Sequence, residues 1–571
     1  MLFLKTLKKY WLKQSRILIW NKEPKISFVK RFCYYRWFPD GKLNIYENCI
    51  LQYLKSSCNK AAIITVNNNS KIKKYSYQEI DQLVSILIIH LKSFRQKNLR
   101  IMIHSSATIE SAVSMLACAK LGIHFCVLFK ELEYEAINSR INIFKPNVFL
   151  SNGPKVKINK KIKVLNIKKI LNSNYKKKKY NQTRKLNYFS SDRDLFTLFT
   201  SGSTGAPKGI THSSGGYLLY SKYTCQKQFG INCNSVVLTA SDAGWINGHT
   251  YSLFGPLSVG ATTILMETPM LLLNKNLLKK VLKEKVSILY LPVTLIRLMR
   301  TIYKNYIFKK HSIITLGSMG EPLAKSIGNW FSRAFNLKSR AIINTYYQTE
   351  TGGIICSPKY TETAKISPHG SVGNVVNKYI KISSLKNSKK KEVKILYPWP
   401  GCMKKVLNGL DFYKKYWDQN KFFRMFDEAT RKKSYIEIHG RIDDVINIRG
   451  HRIGSEEIES ILLKNKNITE CCSVAVPDYL EGFQIILFIV AKKNVDDDIK
   501  KILNSNFGSF ALPKSIYYLD NLPKTRSGKI LRRLLREILL NPNKRYYGDT
   551  STMIDKKVVN EIKNKILNYK L

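Results

Sequence analysis

From Tyr77 to Leu91 apolar residues recur every three or four positions, the spacing that turns one face of a helix toward a core. A short β-like run at 100–103 follows, then a second helical stretch at 108–121 that ends on Gly122. The pattern repeats with a strand at 125–128, a helix at 134–144 and a strand at 148–150. Alternation of this kind predicts an α/β body of parallel strands joined by crossover helices. Between Pro154 and Lys185 the periodicity gives way to lysine and asparagine, and the stretch reads as a solvated connection with at most short strands. The basic run 386–391 reads as a loop between strands. Beyond 440–444 the pattern becomes a compact α+β one, with a helix at 456–464, strands around Val474 and at 485–490, and a basic helix from Ile530. The expected organisation is a basic N-terminal segment (1–36), a large domain of packed α/β subdomains (37–442) and a small C-terminal domain (443–571) that begins at Asp443.

Length and charge change this picture little. The 571 residues suggest three or four structural units, and 44% hydrophobic with 24% charged residues is a globular composition. No apolar run approaches the roughly 18–20 residues that span a bilayer, so no membrane partner is expected. The net charge of +57 would draw polyanions, but it is dispersed and travels with abundant Asn, Ile and Tyr. It reads as compositional drift, with no specific nucleic acid as partner. Eleven cysteines without a CxxC pair or adjacent histidines indicate neither a disulfide framework nor a zinc site. The first 32 residues are basic, with the first acid at Glu23 and no apolar core for secretion. A cytoplasmic protein is expected, or an organellar one if this segment is a transit peptide.

The strongest local signal follows the apolar run 195–199. Thr200, Ser201, Gly202, Ser203, Thr204, Gly205 and Lys208 form a small, hydroxyl-rich loop ending in a cation. Such a loop closes backbone N–H groups and hydroxyls around phosphate oxygens. Lys208 lies between Pro207 and Gly209, so the order is not that of the P-loop G-x-x-x-x-G-K-[ST].

This loop resembles the first core motif of the adenylate-forming superfamily, which contains acyl-CoA synthetases, luciferases and peptide-synthetase adenylation domains. Further matches, 241–251, 316–322, 344–353, 399–401, 440–447, 522–529 and 548–552, fall in the order of its acetyl-CoA synthetase branch and span roughly Trp37 to Asp555. The resemblance implies an AMP-forming acetate–CoA ligase that takes ATP, Mg²⁺ and coenzyme A. Gly320, Glu321, Pro322, Asn344, Thr345 and Gln348 then belong to the nucleotide site, Tyr346 stacks on adenine, Thr349 meets the α-phosphate and Glu350 holds the metal. Asp427 matches an aspartate that accepts the ribose hydroxyls, although the Thr-Gly before it and the Gly after it are replaced by Met425, Phe426 and Glu428. Arg441 and Arg452 match nucleotide-facing arginines, and Asp443 the hinge. Lys529 matches the lysine that bridges carboxylate and α-phosphate, and Gly450 lines a pantetheine tunnel. Arg449 replaces a small serine and Asn504 an arginine for the CoA nucleotide, so Arg449 either takes over a phosphate contact or weakens thiolation.

The acyl pocket implied by the same alignment is Trp245, Ile246, Asn247, Met319 and Tyr347. Tyr347 stands where acetate-using relatives carry tryptophan, and Ile246 and Met319 where they carry valines. Acetate is the expected substrate, with propionate or another short-chain carboxylate as the alternative. Asn247 is the expected hydrogen-bond partner of the Tyr347 hydroxyl. A degenerate, basic nucleic-acid-binding protein is the rival from a different class; the complete phosphate loop with Glu350 and Lys529 argues against it.

Overall fold

The computed structural model describes residues 2–31, 34–94, 98–130, 132, 134–152, 158, 161–172, 186–201, 207–383, 391–407, 409–442, 445–448, 451–478, 482–507, 509–525, 528, 530–544, 547, 553, 555 and 557–568. Two seven-stranded sheets form the large domain. In the first, Arg100–His104 lies between His124–Leu128 and Val148–Ser151, all parallel, as the alternating pattern predicts. The helices Tyr77–Leu91, Ile109–Leu121 and Tyr134–Phe144 also fall where expected. Ser76 caps the first of these through a reciprocal box with Glu79, and Gly122 ends the second in the left-handed conformation.

The stretch read as a solvated connection holds more structure than its composition promised. Lys163–Asn166 adds a parallel strand at the sheet edge, and Ile167–Asn172 is a helix that buries Ile167, Ile170 and Leu171. Three apolar residues at positions i, i+3 and i+4 were enough to dock it, and the lysines between them stay outside.

The second sheet is closed by the chain's return. Ala61–Val66 pairs with Thr262–Met266, and Val236–Thr239, Ile288–Pro292, Thr315–Met319 and Ile343–Asn344 extend the sheet in parallel. Between the sheets runs Ser214–Phe229, buried on almost every side despite its many hydroxyls. Those hydroxyls are satisfied internally: Tyr217 pairs with Thr250, Thr224 with Tyr251, and Tyr220 donates to the Ile354 carbonyl. The N-terminal segment also belongs to this body. Leu2–Ser15 is a helix that buries Leu7 and Trp11, and Trp11 meets Trp37, Tyr220 and Tyr223 edge-on.

In the C-terminal domain Ile468–Asp478 and Gly482–Ala491 run antiparallel, with Ser515–Tyr518 added in parallel. Alternate residues serve two cores. Cys472, Val474, Ile486 and Phe488 face the helices Arg532–Leu540 and Lys557–Asn568; Cys471, Ala475, Ile485 and Leu487 face Ser455–Leu462 and Asp496–Phe507. The strands therefore read as continuous apolar runs, because both faces are covered. The basic helix starts two residues later than expected, at Arg532, with Leu531 as its N-cap.

Candidate active site

The site gathers where the second sheet's parallel strands end. Ile288–Pro292 leads to Thr294, Thr315–Met319 to Glu321, Ile343–Asn344 to Tyr346–Glu350, and Val236–Thr239 to the turn before Asn247. Carboxyl ends of parallel strands are where open α/β sheets place their ligands, because the loops there diverge and leave a crevice.

The phosphate loop joins two antiparallel strands, Asp194–Ser201 and Pro207–Ser213, with Thr200 opposite Lys208. Gly202, Ser203, Thr204 and Gly205 lie outside the described residues, as does the Ser201 side chain. The second strand is tied to the neighbouring loop by His212, whose Nε2 donates to the Thr349 carbonyl at 2.8 Å. Burial pushes the His212 imidazole down to about 4, so it makes this bond in its neutral form. The Lys208 ammonium sits 5.6 Å from the centroid of the Tyr416 ring. The Tyr416 hydroxyl in turn donates to Glu350 Oε1 at 2.6 Å.

Asp427 is held from the same loop. Tyr346 Oη donates to Asp427 Oδ2 at 2.7 Å, and Gln348 Nε2 donates to the same oxygen at 2.8 Å and to the Met425 carbonyl at 2.6 Å. Tyr346 thus carries a hydrogen bond that its expected role as a stacking surface did not include. Asp427 pairs across the strands with Arg441, whose side chain lies outside the described residues, and Phe426 before it has φ 56°. That left-handed conformation favours glycine, the residue the resemblance places there, and costs a bulky side chain roughly 1–2 kcal/mol. The Phe426 ring is held between the Arg424 guanidinium, 4.6 Å away, and Tyr416.

Other expected nucleotide residues serve the scaffold. Asn344 accepts from the Ser318 hydroxyl and donates to the Ser371 carbonyl, and the Thr345 hydroxyl lies between the Ser318 carbonyl and Tyr290. Glu321 accepts from Thr294 at 3.0 Å and from Arg297 at 3.3 Å, between half-buried Pro322 and exposed Gly320, whose φ is 90°. The carbonyl of Gly528, a C-terminal-domain residue, is 2.9 Å from the Thr294 hydroxyl. This docks the small domain at the mouth of the site. Lys529, Asp443, Arg449 and Gly450 lie outside the described residues, as does the Arg452 side chain.

On the acyl side, Trp245 precedes a helical segment carrying Ile246 and Asn247. Gly248 is required there, since a Cβ would stand 2.2 Å from the Asp242 carbonyl oxygen. The Asn247 amide nitrogen contacts Met319 Sδ. One turn on, Tyr251 meets the Tyr347 ring edge-on at 5.7 Å, so the same face of the segment lines both contacts. The expected Asn247–Tyr347 hydrogen bond is not made. The Tyr290 hydroxyl donates to Tyr347 at 3.3 Å instead, and burial pushes the Tyr347 phenol well above its ordinary range. Sequence reasoning missed Tyr290, Tyr416 and Thr294, none of which stands in a motif segment; only contact across the fold assigns them to the site.

Comparison with known proteins identifies the family to which this site belongs. A profile described as AMP-binding enzyme matches residues 52–394. The chain belongs to the AMP-binding enzyme family. The AMP-binding enzyme C-terminal domain matches residues 457–529, and the acetyl-coenzyme A synthetase N-terminus matches residues 3–49. Relatives include acetyl-coenzyme A synthetases of Bradyrhizobium diazoefficiens, 31% identical over 97% of this chain and 93% of the relative, and of Helicobacter pylori (strain P12), 32% identical over 93% and 88%. Among solved structures, an acetoacetyl-CoA synthetase from Streptomyces lividans superposes with a TM-score of 0.81 at 15% identity, covering 99% of this chain and 93% of that one. An anthranilate CoA ligase in complex with anthranoyl-AMP gives 0.74 at 18% identity, with 87% and 97% covered. These two show the adenylate-forming fold shared by this AMP-binding enzyme.

Proposed function

We propose that the chain is an AMP-forming acetate–CoA ligase. A carboxylate oxygen of acetate attacks the α-phosphorus of ATP, the bond to the bridging oxygen breaks, and pyrophosphate leaves. The thiol sulfur of coenzyme A then attacks the carbonyl carbon of the acyl-adenylate, AMP leaves, and the thiol proton passes to solvent. The observation that carries this reading is the convergence of Lys208, Tyr416, Glu350, Tyr346, Gln348 and Asp427 from separate segments onto one crevice.

Each group has a physical task. Asp427, with Oδ2 fixed by two neutral donors, presents an oriented carboxylate to the ribose hydroxyls. Lys208 supplies positive charge beside the phosphate loop, where two anions must meet. Glu350 Oε1 is occupied by Tyr416, and among the described residues no cluster of three metal-ligating side chains is present. One carboxylate with substrate phosphates completing the shell suits Mg²⁺, which seldom takes an all-protein cage. Bound there with ATP, Mg²⁺ would neutralise charge on the phosphates. Lys529, carried on the docked small domain next to Gly528, is assigned to the carboxylate–phosphate encounter.

Acetate is the proposed acid, on the names of the relatives, with propionate a poorer substrate. Among the described residues no helix is long and apolar enough to cross a membrane. A cytoplasmic setting goes with this reading. The test supplies purified protein with ATP, Mg²⁺, coenzyme A and C2–C4 acids, and measures pyrophosphate and thioester separately. Both products are expected with acetate; pyrophosphate with no acid tested would overturn the reading.

A further inference from the structure

Two polar atoms on the acyl side, Asn247 Oδ1 and Trp245 Nε1, have no hydrogen-bond partner among the described residues. Met319 is 1% exposed, and its thioether accepts hydrogen bonds but cannot donate them. The Asn247 amide therefore turns its NH₂ toward Met319, and its carbonyl is the end left over. Asn247 Oδ1 is shielded from solvent and has no hydrogen-bond partner among the described residues. The obvious donor, the Tyr347 hydroxyl, accepts from Tyr290 and makes no hydrogen bond to Asn247 Oδ1. Trp245 is not a substitute. Two positions before Asn247, it points to another side of the segment and packs its ring on Phe129 at 5.1 Å.

A shielded acceptor without a donor is costly, and a ligand that brings a donor removes the cost. Acetate has none on its methyl group. We infer that this pocket also takes short acids with a hydroxyl on the acyl chain, the hydroxyl donating to Asn247 Oδ1. The reading rests on the ligase activity proposed above and adds a substrate class to it. A purely apolar pocket gains nothing from a hydroxyl in place of a methyl, whereas a site holding a matching acceptor discriminates by orders of magnitude.

Glycolate and propionate form a size-matched pair, hydroxyl against methyl, as do 3-hydroxypropionate and butyrate. In the wild-type protein, kcat/KM for pyrophosphate release should be at least equal for the hydroxylated member of each pair. In Asn247→Leu, similar in volume but without the carbonyl, the hydroxyl-to-methyl ratio should fall at least tenfold. If the wild type favours propionate over glycolate by tenfold or more, or Asn247→Leu leaves the ratio unchanged, the inference is wrong. The wild-type comparison decides even if the variant fails to fold. Loss of acetate turnover in the wild type would be a failure of the ligase reading; turnover of acetate with rejection of glycolate would be a failure of this inference alone.

Discussion

The nucleotide side and the acyl side of the crevice are built on opposite plans. On the nucleotide side, two carboxylates accept hydrogen bonds from neutral donors, Glu350 from Tyr416 and Asp427 from Tyr346 and Gln348, while Glu321 accepts from Thr294 and Arg297. On the acyl side, shape is set by aromatic packing of Tyr251, Tyr290 and Tyr347, and polar atoms are few. The contrast teaches that the two substrates are read by different physics. Orientation of charge serves ATP, and volume with one or two hydrogen bonds serves the acid.

If the sides are independent, a change on one should leave the other's selectivity alone. Asp427→Ala should have the largest effect, lowering kcat/KM for ATP by about 10²–10³-fold, the range seen when one fixed electrostatic group is removed from a catalytic site. The propionate-to-acetate ratio should not move; a shift of more than threefold would break the separation. Tyr290→Phe is the converse. It frees the Tyr347 ring, and the propionate-to-acetate ratio should rise about fivefold, below the roughly 10–200-fold that one methylene can command. The KM for ATP should be unchanged, and kinetics with both acids at saturating ATP provide the check.

Two smaller effects sharpen the picture of the nucleotide side. Burial pushes the Glu456 carboxyl, on the first helix of the small domain, up to about 8 from 4.5, with the Asp427, Glu321 and Glu459 carboxylates adding to the rise and Arg532 opposing it. A group whose folded value is raised contributes stability that is complete below the unfolded value and is lost as pH climbs through the folded one. The wild type should therefore lose melting temperature between about pH 4.5 and 8 and level off above that. Glu456→Gln should flatten that slope and be the more stable protein at pH 9; parallel curves would show that Glu456 is ionised throughout. Phe426 provides the finest comparison. Phe426→Ala and Phe426→Gly lose the same ring, but only glycine relieves the left-handed backbone. The glycine variant should be the more stable by about 1 kcal/mol in denaturant unfolding.

The sequence is informative where chemistry is dense. The phosphate loop, the 344–353 segment and Asp427 were recognisable as residues, and the crossover strands 100–151 followed from periodicity alone. The helix Ser214–Phe229 was invisible for a physical reason: beside Leu218, Leu219, Cys225 and Phe229, most of its buried positions are Ser, Gly, Thr, Lys, Gln and Tyr, whose burial depends on partners elsewhere in the chain. Tyr290 and Tyr416 escaped for the same reason. A tyrosine in a strand or loop looks like any other until the fold brings Tyr347 or Glu350 to its hydroxyl. The Asn247–Tyr347 pairing failed because contact was inferred from shared membership of the implied acyl pocket, and the Tyr347 hydroxyl is met by Tyr290 instead. The helix Ile167–Asn172 was masked by the lysine-rich composition around it.

The return of the chain in the second sheet has a consequence for biosynthesis. Ile63 pairs with Thr263, 200 positions later. At roughly 5–20 residues per second, the early strand waits about 10–40 s on the ribosome for that neighbour. Until then it has only the antiparallel strand Ile72–Ser76, and a two-stranded hairpin is marginal in water. The crossover unit between residues 100 and 151 can assemble meanwhile, leaving Ile63, Ile64 and Val66 uncovered beside a finished layer. Nascent chains of this protein should therefore hold their greatest demand for chaperones in a defined interval, which opens when Val66 emerges and closes when Met266 does.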